Sequence, residues 1–232
     1  LVDFDDTLVD TAPRFERARR RLFDHLAGLG FDRDRVEHVH HHEVDPGMRR
    51  AHGLGPQRMP EAFAETYRAL CVHAGRTVDP AVLDACHRLG DDVAGTPPAI
   101  EGAMEALHRL AVSVPTVIYT QAGDTEYQLG CLRDAGAVAA VGEDRVRVVP
   151  LKTAGALRQT LDAYRVRDPG RAWMVGNSIR SDINPALELG VRALLVEVDE
   201  PWQHDVTEPL HDDFLRVRTF RAAVDLLLNG RR

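Results

Sequence analysis

At 232 residues the chain is long enough for one large domain or for a domain carrying a sizeable insertion, and its 44% hydrophobic and 28% charged residues are those of an ordinary globular protein. A formal net charge of −7 argues against a general binder of nucleic acid or anionic membrane, since both attract basic surfaces. No apolar run approaches the ~18 residues of a bilayer span, and three separated cysteines, Cys71, Cys86 and Cys131, form no CxxC pair, which excludes a disulfide framework or a thiolate zinc site.

Those cysteines read as small buried hydrophobes, and the expected compartment is cytoplasmic. The sequence opens on Leu1 inside an apparent strand, which leaves a preceding segment and a targeting signal open. The stretch Leu1 to Thr11 then runs from a few apolar residues into Asp3, Asp5 and Asp6. Carboxylates packed this closely repel one another and call for a cationic offset, most simply a divalent metal. If the strand persists through Asp5, Asp3 and Asp5 share one side and Phe4 faces the core. Two acids so placed suit a nucleophile and an acid/base partner. Asp6 then faces solvent or a turn, and the plainer alternative is a polar turn in which Asp6 or Thr7 caps backbone amides.

From Pro13 the spacing of Phe15, Ala18, Leu22, Leu26 and Leu29 predicts a helix, with Thr11 as its N-cap and Gly28 and Gly30 at its end. Residues 37–60 hold His38, His40, His41, His42 and His52 among Gly, Pro and Arg; contiguous histidines cannot all face one ion, so the stretch reads as a solvated loop or the rim of a substrate pocket. Two further helices follow, one with Phe63, Tyr67, Leu70 and Ala74, the other with Val82, Cys86, Leu89 and Val93. Residues 13–95 therefore read as an all-helical unit, closed by the linker Gly95-Thr96-Pro97-Pro98.

Beyond the linker, helices near 101–111, 125–135, 153–164 and 183–189 alternate with strands at 114–120, within 138–149, at 172–176 and at 191–198. A short strand at 214–217 and a helix carrying Phe220, Val224, Leu227 and Leu228 end the chain. Alternation of this kind predicts an α/β fold with a doubly wound parallel sheet, built from residues 1–12 and 96–232, with the helical unit 13–95 inserted. Ligands of such sheets bind beyond the carboxyl ends of the strands. Asp3 and Asp5, Thr120, Lys152, and the segment from Gly176 to Asp182 all fall at such ends. Lys152 is unusual there, because a cation at a helix start opposes the helix dipole and implies an anion nearby.

In this order the residues resemble the haloacid dehalogenase (HAD) superfamily. Asp3-Phe4-Asp5-Asp6-Thr7-Leu8 looks like its DxDxT motif, Thr120 its second motif, Lys152 its third, and Gly176 through Asp182 its acidic fourth. The insertion between the first two motifs looks like the C1-type helical cap. The resemblance implies a Rossmann-like core and a cytoplasmic Mg²⁺-dependent phosphatase acting on a small phosphorylated metabolite, with no nucleic-acid or membrane partner, as a monomer or homodimer. Asp3 would attack phosphorus and form an aspartyl phosphate, and Asp5 would act as acid and then base. Thr120, Lys152 and the backbone of Gln121 would hold the phosphoryl group. Mg²⁺ would bind Asp3, the Asp5 carbonyl and Asp182, with Asn177 and Ser181 in support.

Asn177 departs from the family pattern, which often has aspartate there, and implies weaker metal affinity. Arg14, Arg17, His42, Arg49 and Arg50 of the cap would meet an anionic or sugar-like substrate or lie in solvent. Alternatives are a catalytically degenerate binding or regulatory protein, a dehalogenase, which needs neither the second aspartate nor magnesium, and a phosphomutase, in which valine often replaces Thr7.

Overall fold

The chain divides into two compact units, Pro13–Gly95 and Leu1–Ala12 with Thr96–Arg232, in a computed structural model that describes residues 1–53, 55–199 and 207–230. The last two residues of the core span expected from sequence, 231–232, lie outside the described residues.

The helical unit contains α1 (Ala12–Gly28), α2 (Arg33–His38), α3 (Asp45–His52), α4 (Met59–Ala74) and α5 (Pro80–Asp91). The apolar stripe of α1 delivers Leu22 and Leu26 into a core shared with Phe63, Leu70, Cys71 and Cys86. Asp79 starts α5 by accepting from the Ala81 amide, with Pro80 in the first turn. A Cβ on Gly90 would stand 2.4 Å from backbone atoms of Pro60, so only glycine allows α5 to approach the start of α4 so closely.

The histidine-rich stretch is a correction to the sequence reading. Residues 33–52 are helical, and a π-helical turn, Val39–Val44, joins α2 to α3. His40 is fully buried beside Phe23 and Phe63, while the neighbouring His42 faces outward. Its Nδ1 lies 3.0 Å from Thr66 Oγ1, and Thr66 itself donates to the Ala62 carbonyl. Thr66 must therefore accept from His40 Nδ1–H, which leaves the buried Nε2 as an acceptor without a partner among the described residues.

The second unit alternates α6 (Ala103–Ser113), β1 (Ile118–Gln121), α7 (Thr125–Asp134), α8 (Ala137–Val141), β2 (Val146–Val149), α9 (Ala154–Ala163), β3 (Trp173–Gly176), α10 (Asn184–Glu188), β4 (Arg192–Val196), β5 (Leu215–Val217) and α11 (Phe220–Asn229). The pairs β1–β2, β3–β4 and β4–β5 are all parallel. Val2 bridges Ile118 on one side and Val175 on the other, so the first residues join these pieces in the order β2, β1, residues 1–3, β3, β4, β5. The winding reverses at the first segment, the arrangement of a doubly wound Rossmann-like sheet. Phe4, Leu107, Leu132 and Phe220 fill a core on one face, and Tyr119, Leu157, Met174 and Leu195 fill one on the other. All three cysteines are free and buried.

Several elements are shorter than the sequence suggested. Strand β1 begins at Ile118 rather than Val114, consistent with Pro115 having no N–H to donate. Residues 138–149 split into a short helix and a strand, and a π-helical turn, Ile179–Ile183, precedes α10. Among the described residues no helix is long and apolar enough to cross a membrane.

Candidate active site

The first segment needs no long strand to hold its place. Asp3 N donates to the Val175 carbonyl and Val2 N to that of Val117, both at 2.8 Å, so the backbone is pinned between two parallel neighbours. The chain then leaves the sheet. The amides of Thr7, Leu8 and Val9 all converge on the Phe4 carbonyl, and Asp6 adopts a positive φ of 55°. A tight turn over residues 6–8 thus begins directly after Asp5, with Phe4 buried in the core.

Asp6 takes the capping role that the sequence had given to Thr11. Its Oδ1 accepts from Thr11 N (2.8 Å) and Ala12 N (2.7 Å) at the start of α1. Thr11 is thereby free to donate its hydroxyl to Asp5 Oδ1 at 2.6 Å.

Asp3, 5% exposed, and Asp182, 1% exposed, are joined by one cation. Lys152 Nζ lies 2.5 Å from Asp3 Oδ1 and 2.6 Å from Asp182 Oδ1. Burial works against the lysine charge, but the carboxylates of Asp182 and Asp3 outweigh it and hold the pKa above its ordinary value. The anion that Lys152 implied in the sequence is thus a pair of aspartates. The other oxygens are also engaged: Thr7 Oγ1 donates to Asp3 Oδ2 at 3.1 Å, and Ser178 N donates to Asp182 Oδ2 at 3.0 Å. In the amide orientation that satisfies both of its ends, Asn177 donates to Asp3 Oδ2 (3.1 Å) and to the Asp5 carbonyl (3.2 Å).

Gly176 makes room for this arrangement. A Cβ there would meet Asp182 Oδ2 at 2.2 Å and its Cγ at 2.4 Å. The π-helical turn that follows β3 brings Asp182 back over the strand end, and Ser178 secures the turn by accepting from Ser181 N at 3.0 Å. Ser181, expected beside the site, contributes that backbone amide.

Thr120 closes on Asp5 through a residue that the sequence reading missed. Gln128 Nε2 donates to Asp5 Oδ2 at 2.7 Å and to Thr120 Oγ1 at 3.0 Å. The Gln121 side-chain carbonyl accepts from Lys152 N at 2.8 Å and is thus tied to the backbone next to the third motif. Asp3, Asp5, Thr120, Gln121, Lys152, Asn177 and Asp182 consequently belong to one hydrogen-bonded network. The arginines and histidine expected to meet the substrate lie in the helical unit, where Arg49 sits 3.5 Å from Asp45 and Arg14 donates to the Gly95 carbonyl.

Three aspartates against one lysine leave the site anionic, with Asp6 adjoining. Burial pushes the Asp6 carboxyl up to about 7, the Ala12 amide opposing and the charges of Asp5 and Asp3 adding. Among the described residues no three His, Cys, Asp or Glu side chains form a metal cage. A set made of two buried carboxylates and a main-chain carbonyl nevertheless supplies hard oxygen donors of the kind Mg²⁺ takes, and the surplus negative charge favours a cation.

Parallel strands ending in a buried aspartate pair bridged by lysine, at the point where the winding reverses, define an α/β enzyme core with its polar site at the carboxyl edge. Residues 1–190 match the family described as haloacid dehalogenase-like hydrolase, and the chain belongs to that family. Solved structures agree on the fold. A HAD-like family hydrolase from Xanthomonas campestris aligns with a TM-score of 0.77 at 20% identity, over 100% of this chain and 96% of that one. The magnesium-bound HAD-hydrolase YfnB of Bacillus subtilis aligns with 0.61 at 18%, over 97% and 96%. A 2-haloacid dehalogenase from Pseudomonas syringae aligns with 0.58 at 16%, over 99% and 97%. No curated protein matches this chain by sequence.

Proposed function

We propose that this hydrolase is a Mg²⁺-dependent phosphatase acting on a small phosphorylated metabolite through an aspartyl phosphate at Asp3. Family membership alone does not choose the reaction, because a dehalogenase shares the fold. The observation that carries the choice is the setting of Asp5, whose carboxyl is held at one oxygen by Thr11 and at the other by Gln128. Halide leaves carbon as a stable anion and needs no proton, whereas an alkoxide leaving phosphorus does. An aspartate fixed two positions after the nucleophile has work to do only in the second case.

In this reading Asp3 attacks phosphorus while Asp5 protonates the leaving oxygen, and Asp5 then takes a proton from the water that releases phosphate. Lys152, in contact with Asp3, offsets charge on the transferring group, and the Thr120 hydroxyl donates to a phosphoryl oxygen. Asp3, the Asp5 carbonyl and Asp182 would hold Mg²⁺, which when bound neutralises phosphoryl charge. Asn177, already donating to two of these three groups, lowers the negative charge that attracts the metal.

The test is phosphate release from 4-nitrophenyl phosphate with and without Mg²⁺, run beside halide release from 2-chloropropionate. Metal-dependent phosphate release is expected. Halide release instead makes the protein a dehalogenase, and neither activity in folded, metal-loaded protein makes it a binding or regulatory protein.

A further inference from the structure

Gln128 lies in the first half of α7, is 5% exposed, and belongs to none of the four motifs. Burying a primary amide is costly unless its two N–H groups find acceptors. Both donor contacts of Nε2 go to candidate active-site residues from separate parts of the chain, Asp5 at 2.7 Å and Thr120 at 3.0 Å. One planar group thus fixes the distance between an acid on the turn after residues 1–3 and a hydroxyl on β1. With Thr11 on the opposite oxygen, the Asp5 carboxyl is gripped at both ends and its rotation is restricted.

The contact also orients Thr120. Its oxygen accepts from Gln128, so its own hydrogen is turned away from that bond and is available to an oxygen of a bound anion. A glutamine kept only for packing would satisfy its donors on backbone carbonyls of neighbouring helices as readily.

We infer that Gln128 is a positioning residue, one that sets Asp5 for proton transfer to the leaving oxygen and Thr120 for the phosphoryl group; the inference rests on the phosphatase reading. Removing the amide donors should therefore hurt most where the leaving group most needs a proton. Phenyl phosphate and 4-nitrophenyl phosphate have nearly the same shape, but nitrophenolate leaves without assistance and phenolate does not.

The experiment measures kcat/KM, which reports the step that expels the leaving group, on both esters for wild type, Gln128→Met, Asp5→Asn and the double variant, with Mg²⁺ present. Gln128→Met is expected to lower the rate on phenyl phosphate roughly tenfold more than on the nitrophenyl ester. In the Asp5→Asn background it should leave that ratio unchanged, because the group it positions is gone. Gln128→Leu also lacks the donors, adds no charge beside Asp5 and should give the same split, which keeps the test valid if methionine disturbs folding. Equal losses on the two esters, or none, would overturn the role of Gln128 while leaving the phosphatase intact. A wild type inactive on both esters would remove the phosphatase reading and this inference together.

Discussion

His40 gives the helical unit a dependence on acidity that can be worked out from its surroundings. Burial drives its pKa from 6.5 down to about 3; Asp45 opposes the shift, while His41, Arg19 and Arg58 reinforce it. The folded pKa lies below the unfolded one, so the unfolded chain binds the extra proton and stability rises with pH. The contribution is present in full above about 6.5 and is lost as the pH falls toward 3. Each pH unit within that window is worth about 1.4 kcal/mol, so going from pH 7 to pH 5 should remove about 2 kcal/mol through this one residue. Other groups that titrate over the same interval, Asp6 among them, are common to wild type and a His40 variant, so the comparison between the two isolates the histidine. Urea unfolding of wild type and His40→Gln at both pH values measures the effect. Glutamine can still donate to Thr66 but does not titrate near neutrality. Wild type should lose about 2 kcal/mol more than the variant between pH 7 and pH 5. Equal losses, or a His40 ring that protonates near pH 6 by NMR, would refute the reasoning.

Two further substitutions probe the site. Gly176→Ala places a methyl group 2.2 Å from Asp182 Oδ2, so the carboxylate must retreat from Lys152 and from the Ser178 amide. Disturbing a buried ion pair in this way should cost about 3 kcal/mol, seen as a lower melting temperature together with a higher Mg²⁺ requirement; an unaltered melt and metal response would contradict the packing described. Asn177→Asp replaces a donor facing Asp3 Oδ2 and the Asp5 carbonyl with a second anion. The metal-free protein should lose stability by about 1–3 kcal/mol, and less Mg²⁺ should be needed for half-maximal activity. An unchanged or raised metal requirement would show that this position does not tune the metal.

The parts of the site that the sequence exposed are those governed by strand ends. Asp3, Thr120 and Lys152 follow apolar β-rich runs, and a parallel sheet brings such ends together whatever lies between them. Asp182 was legible through the glycine and polar residues that close β3. Gln128 was not, because a glutamine in a helix looks like any solvated polar residue until the facing wall is known. The histidines misled for the opposite reason: polar residues among Gly and Pro read as a loop, but a π-helical turn directs His40 inward while His42 faces out. Asp6 took the capping task expected of Thr11, its positive φ turning the chain toward α1. A periodicity argument does not resolve a single residue's backbone hand. The first strand was recognised by composition, yet it is only a bridge in register terms, since its neighbours on both sides supply the order that a longer strand would otherwise need.

The most direct measurement is rapid quenching of Mg²⁺-loaded protein during turnover of 4-nitrophenyl phosphate, followed by borohydride reduction and mass spectrometry of the peptide containing Asp3. An acyl phosphate at Asp3 predicts a reduced side chain at that residue in wild type and none in Asp3→Asn, which should be folded and inactive. Turnover that leaves Asp3 unmodified, or an Asp3→Asn protein keeping roughly a tenth of the wild-type rate, would contradict the assignment of Asp3 as the nucleophile.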